Sequence, residues 1–158
     1  MAYEEYKVEK AIIGVIGSAL AAGKSYDDAV EVGRLAAKKG ATVLTGGLGG
    51  VMEAACKGAK ECGGQTIGIL PGFDTRDANR FIDIPIITGF NHARNIIVVR
   101  TSDALIAVGG EYGTLSEIAF AMKLGKPVVS LDSWEVGEGI RKAGNPEEAV
   151  SMAFEALK

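Results

Sequence analysis

Val108-Gly109-Gly110-Glu111-Tyr112-Gly113-Thr114-Leu115-Ser116-Glu117 stands between two segments of different periodicity. Before it, Asp103 to Val108 is a short apolar run of the kind that forms a buried strand. After it, Leu115 to Leu124 carries apolar residues at helical spacing and stops at Gly125. The glycines therefore occupy a strand-to-helix turn, where unpaired N–H groups and the positive end of a helix dipole point outward together. Such a turn holds an anion, most often a phosphate. A second reading stays open on the same residues: Thr114-x-x-Glu117 is also a capping box, with Thr114 as N-cap and Glu117 at the third helical position.

Two further strand ends look alike. Ala11 to Ile16 is a buried-strand candidate closed by Gly17-Ser18, and Thr42 to Thr45 runs straight into Gly46-Gly47-Leu48-Gly49-Gly50. Helices are expected from about Ser25 to Gly40 and from Val51 to about Cys62. The first has Asp27 and Asp28 in its opening turn and Lys38 and Lys39 in its last, matching the dipole at both ends. A third strand, Thr66 to Leu70, ends at Pro71-Gly72, and Phe73 to Arg80 reads as an irregular polar loop with the length of a lid. Asp83 to Ile87 is extended, with Pro85 demoting it to an edge or a bulge. Asn91 to Ser102 admits a strand through Ile96–Val99, but its length and Asn91 as N-cap favour a helix. A last strand spans Lys126 to Leu131, Trp134 to Gly144 is loop, and Asn145-Pro146 with Glu148 opens the final helix.

Strands alternating with helices imply right-handed βαβ units, hence an α/β fold whose mainly parallel sheet is covered by helices on both faces. At 158 residues the chain is one domain's worth. All strand C-termini then lie along one edge, where ligands bind at the strand-order switch. Gly17, Ser18, Gly46, Gly47, Gly49, Gly50, Gly109, Gly110, Gly113 and Thr114 are expected to face that edge and bind a ligand there.

Composition removes several function classes. A net charge of −3 argues against broad nucleic-acid binding, which wants a basic face. Cys56 and Cys62 form no ligand pattern, and His92 is the single histidine, so no metal site is expected. The segment from Met1 to Lys10 is too charged for a signal peptide, and no apolar run approaches the roughly 20 residues a membrane span needs. A cytoplasmic protein without a membrane partner is the resulting expectation. The dinucleotide fingerprint fits poorly: Gly14-x-x-Gly17 lacks the required spacing, and Thr45 stands where an acidic ribose partner belongs. Lys24 follows Gly23 at the wrong distance from Gly17 for a Walker loop.

The Gly46–Met52 turn and the Gly109-Gly110-x-x-Gly113-Thr114-x-x-Glu117 signature, with Arg94 upstream, resemble the LOG-like superfamily. This group was long described as possible lysine decarboxylases, and it includes cytokinin-activating phosphoribohydrolases and molybdenum cofactor carriers. The resemblance covers roughly Ala11 to Leu131 and implies a Rossmann-like fold, a homodimer or homotetramer, and a bound nucleotide or molybdenum cofactor rather than a required cofactor. It implies catalytic roles for Arg94 and Glu117, with phosphate held at Gly110, Gly113 and Thr114. The enzymes usually have proline where this chain has Val108, and lysine where it has Asn95; Asn91-His92-Ala93-Arg94-Asn95 looks closer to the carrier-like branch. Binding of a phosphorylated small molecule is the expected function, with nucleoside 5′-monophosphate hydrolysis as the alternative. A decarboxylase would need a lysine placed for pyridoxal phosphate, and none stands out.

Three residues carry plain alternatives. Arg94 in a first helical turn is unfavourable by about 0.3–1 kcal/mol unless an anion is near, but it could also reach solvent or pair with Asp103. Glu53 suits a dipole-matched surface acid, and His92 a polar helix-start residue. The apolar content of Ile96–Val99 and Ala119–Met122 exceeds what one buried face needs, which points to pairing with another subunit.

Overall fold

Ala104–Val108 is buried at every position and runs through the middle of the sheet, as its unbroken apolar sequence requires. In the computed structural model, which describes residues 10–158, this strand (β5) pairs with β1 (Ile12–Gly17) on one side and β6 (Val128–Leu131) on the other. Outward from β1 lie β2 (Thr42–Thr45), β3 (Thr66–Leu70) and β4 (Ile84–Ile87); outward from β6 lies β7 (Arg141–Ala143). The order is β4-β3-β2-β1-β5-β6-β7, and all the pairings are parallel. The strand order reverses between β1 and β5, so the loops that leave their C-terminal ends diverge and open a crevice there. The charged opening segment lies, apart from Lys10, outside the described residues.

Helices α1 (Lys24–Lys38), α2 (Val51–Glu61) and α5 (Pro146–Glu155) cover one face, packing on Ile13, Val15, Val43 and Ile106. Helices α3 (Asn95–Thr101) and α4 (Tyr112–Leu124) cover the other, over Ile16, Leu44, Leu105 and Ala107. Alternate residues along β1 and β5 thus enter opposite cores. The α1–α2 crossing is closer than ordinary side chains allow. A Cβ on Gly33 would lie 1.9 Å from the Ala55 carbonyl oxygen, and one on Gly58 would lie 1.8 Å from that of Val30. Two residues that weaken isolated helices are what let these two touch.

Several boundaries differ from the sequence expectation. Arg141–Ala143, expected as loop, is a parallel edge strand; it is exposed and polar, so no hydrophobic alternation marks it. Pro85 does sit on an edge strand, opposite Gly68. Asn91 to Thr101 is helical, with Ser102 extended after it, but Asn91 is not its cap. It opens a 3₁₀ turn (Asn91–Arg94) with φ 50°, makes no capping bond, and gives its amide to Pro71 O at 2.9 Å. The α5 start is as expected, with Asn145 Oδ1 accepting from the Glu148 amide at 2.8 Å. Among the described residues no helix is long and apolar enough to cross a membrane.

Candidate functional site at the β1–β5 switch

The helix after β5 begins at Tyr112, three residues earlier than its apolar periodicity suggests. Gly109 and Gly110 take φ 54° and 111°, conformations open to glycine, and turn the chain so sharply that Glu111 enters as N-cap in an extended conformation. Nothing then prevents Tyr112 to Thr114 from being helical. This overturns the capping-box reading: Glu117 is the sixth helical residue, and no side chain caps the helix. Thr114, Glu117, Ile118 and Ala121 form the buried stripe at i, i+3, i+4 and i+7, so both polar residues face inward. A Cβ on Gly110 would lie 2.4 Å from Thr114 Oγ1, so this glycine makes room for the threonine.

The first-turn amides of α4 stay free. Leu115 N is bonded to Glu111 O at 3.0 Å, but among the described residues the amides of Tyr112, Gly113 and Thr114 have no acceptor. Of these three residues, Gly113 and Thr114 line a cleft of about 280 Å³. Gly17, Ser18, Ala19 and Leu20 from the β1 loop form one wall, Leu48 and Met52 a second, and His92, Arg94 and Asn95 a third; Glu111, Gly113, Thr114 and Glu117 complete it.

Arg94 is 7% exposed, so it neither reaches solvent nor pairs with Asp103, whose carboxylate accepts from Ile12 N. Its Nε donates to Ile69 O at 2.9 Å, Nη2 to Gly46 O at 3.2 Å, and Nη1 to Asn95 Oδ1. The guanidinium thus closes over the carbonyl ends of β2 and β3. Burial lowers the pKa of Arg94, and Glu117 opposes that. Glu117 is also 7% exposed and, among the described residues, has no hydrogen-bond partner and no ion pair. Burial raises its carboxyl to about 8, against the pull of Arg94, so it holds its proton at neutral pH.

The expected site residues separate into two groups. Gly17, Ser18, Arg94, Gly113, Thr114 and Glu117 converge on the cleft. Gly46, Gly47, Gly49, Gly50, Gly109 and Gly110 do not line it, which corrects the picture of three equivalent anion-binding turns. Gly46 cradles Arg94, where a Cβ would lie 2.9 Å from Nη2. The Gly47 amide is taken by Thr45 Oγ1 and the Gly109 amide by Leu131 O, both at 3.1 Å. Gly49 and Gly50 press on the Ser18–Ala19 backbone, and Ser18 O accepts from the first amide of α2 at 3.0 Å. Asn79 binds the Phe73–Arg80 loop to this second turn, through Gly47 O and Leu48 O. That loop contributes no residue to the cleft lining. Ala19, Leu20, Leu48, Met52 and Glu111 had no sequence signal beyond adjacency to a glycine turn, while His92 and Asn95 stood in the string around Arg94.

Comparison with known proteins identifies the family. The SLOG cluster4 family model matches residues 10–156. An uncharacterized protein of Archaeoglobus fulgidus is 54% identical over 143 residues, covering 90% of this chain and 93% of that one. The cytokinin riboside 5′-monophosphate phosphoribohydrolase of Mycobacterium tuberculosis is 37% identical over 123 residues, covering 72% of this chain and 65% of the enzyme. The chain therefore spans less than two thirds of that enzyme's length. Among solved structures, the molybdenum cofactor binding protein of the phototrophic bacterium Rippkaea orientalis superposes with a TM-score of 0.91 at 38% identity, covering 96% of this chain and 99% of that one. With a Rossmann-like sheet, the LOG-type glycine signature and these relatives, the chain belongs to the SLOG cluster4 family, within the superfamily of LOG enzymes and molybdenum cofactor carriers.

Proposed function

We propose that this protein binds a phosphorylated small molecule, of nucleotide or molybdopterin type, in the cleft between the ends of β1 and β5. The observation that carries the reading is the set of free amides of Tyr112, Gly113 and Thr114 at the N-terminus of the 13-residue helix α4. An anionic group seated there gains these donors and the helix dipole. Glu117, 7% exposed and without a hydrogen-bond partner among the described residues, lines the same cleft, where a polar ligand can reach its carboxyl. The apolar surfaces of Leu20, Leu48 and Met52 supply a wall for an uncharged ring system. The similar proteins, a molybdenum cofactor binding protein and a cytokinin riboside 5′-monophosphate phosphoribohydrolase, support a ligand of this class.

Phosphoribohydrolase activity is the second reading, favoured by the presence of both Arg94 and Glu117. N-glycosidic cleavage passes through an oxocarbenium-like state, which an ionised carboxylate stabilises. A carboxyl raised to about 8 would serve this state as a proton donor to the leaving base rather than as a counter-charge. Asn95, where the enzymes carry lysine, leaves position 95 without a cation that would ionise it. With Val108 and Asn95 standing where the enzymes usually carry proline and lysine, binding without turnover is the reading we favour. The test is calorimetry and chromatography with a panel of nucleoside 5′-monophosphates. Binding without base release supports it; base release that disappears in Glu117→Gln supports the enzyme; no binding by the wild type refutes both.

The assembly is proposed to be a homodimer or homotetramer. Phe120 (40% exposed) and Leu124 (37%) leave apolar surface on α4, in keeping with a partner subunit.

A further inference from the structure

Arg94 and Glu117 line the same cleft with opposite charge available to them, yet they form no ion pair among the described residues. Three hydrogen bonds explain the separation. Nε and Nη2 of Arg94 are committed to Ile69 O and Gly46 O, and Nη1 to Asn95 Oδ1. Asn95 is itself fixed: its Nδ2 donates to Ser116 Oγ at 3.1 Å, and Ser116 Oγ donates to Gly113 O at 2.6 Å. A single chain thus runs from the guanidinium through Asn95 and Ser116 to the backbone of the turn whose amides face the cleft. Asn95 is 3% exposed and supplies both an acceptor and a donor, which an amide provides and a carboxylate or an ammonium does not.

We infer that Asn95 is a positioning residue of this site, holding the Arg94 guanidinium on the strand-end carbonyls and withholding it from Glu117, so that the Glu117 carboxyl stays free to donate to a ligand. The inference rests on the binding reading above for its functional meaning. It also narrows the ligand class: an anionic group on the α4 amides, together with an uncharged acceptor such as a sugar or ring oxygen turned toward Glu117. The groups lining the cleft that can carry charge are His92 and Arg94 from the 3₁₀ turn, Glu111 from the glycine loop and Glu117 itself. The walls from the β1 loop and from Leu48 and Met52 carry none. Arg94 is thus the one cation on that lining, apart from any charge on His92, and its position decides whether Glu117 is paired.

The test is a carboxyl ¹³C NMR titration of the full chain, with the Glu117 resonance assigned by its loss in Glu117→Gln. In the wild type the resonance is expected to titrate near pH 8. In Asn95→Ala the released guanidinium swings toward Glu117, and the midpoint falls by at least one unit, a tenfold loss of proton affinity. Asn95→Asp keeps an acceptor for Nη1, so its midpoint stays at or above that of the wild type. A midpoint in Asn95→Ala within a factor of two of the wild type, or an equal fall in Asn95→Asp, overturns the inference. Should Asn95→Ala not fold, Asn95→Leu keeps the side-chain volume and supplies no acceptor for Nη1; a lowered midpoint supports the inference and an unchanged one overturns it. The titration needs no ligand. A wild type that binds no nucleoside monophosphate refutes the proposed function, whereas the spectra decide the role of Asn95.

Discussion

Replacing Glu117 by glutamine removes one proton site and almost no volume, so its effect on stability isolates the cost of a buried carboxyl. The folded state raises this group from 4.5 to about 8. Between those values the folded chain keeps a proton that the unfolded chain releases. Wild-type stability therefore falls as pH rises from about 4.5 to 8 on this account, and is flat in this term on either side. A shift of that size converts to about 5 kcal/mol at most. Water entering the cleft and small movements of Arg94 would relieve part of it, so the expected difference is about 2–5 kcal/mol. Glu117→Gln has no such slope. The variant should match the wild type within about 1 kcal/mol at pH 5, exceed it at pH 7, and lead by about 2–5 kcal/mol at pH 9. Urea unfolding of both proteins at the three pH values measures this, because other titrating groups cancel in the difference. A gap that does not change with pH would show that Glu117 is ionised in the fold, and the account of the site would fail with it.

Gly113 faces open space at its Cβ position, so Gly113→Val should leave the thermal midpoint within a few degrees of the wild type. It should nonetheless cost tenfold or more in affinity for a phosphate monoester by calorimetry, and unchanged affinity would place the anion elsewhere. Gly58→Ala should destabilise by about 1–3 kcal/mol in denaturant, because the clash with the Val30 carbonyl outweighs the gain of about 1 kcal/mol in helix propensity; a stabilised variant would mean that α1 and α2 are free to separate. Gly110→Ala combines φ 111° with a Cβ 2.4 Å from Thr114 Oγ1, and should lose about 1–3 kcal/mol of stability together with ligand affinity. Light scattering of the wild type should give the mass of a dimer or tetramer, and Phe120→Glu should shift it toward the monomer; a wild-type monomer refutes the proposed assembly.

Much of the fold was local, and so readable from the chain alone. Thr42–Thr45 and Thr66–Leu70 are strands at the expected residues because each is a short apolar run closed by residues that cannot continue it. The cap at Asn145 needed only its neighbours Pro146 and Glu148. The α/β alternation constrained the parallel sheet, and the sheet constrained which ends of the strands could form a site. Arg141–Ala143 escaped because a polar edge strand carries no pattern of its own.

The amino-acid sequence by itself determined that a glycine-rich turn joins a buried strand to a helix, and that Arg94 and Glu117 belong with it. Only the tertiary structure decided what those residues do. Arg94 is held by carbonyls 25 and 48 residues away, partners that no local spacing encodes. Glu117 faces inward because the chain reverses so tightly at Gly109 and Gly110 that the helix starts early, which carries a residue expected at the third helical position to the sixth, in the buried stripe. The same fold left the first amides of α4 free and filled those of Gly47 and Gly109. A turn's glycines permit close approach, but whether an N–H awaits a ligand depends on which carbonyl or hydroxyl the rest of the fold brings to it.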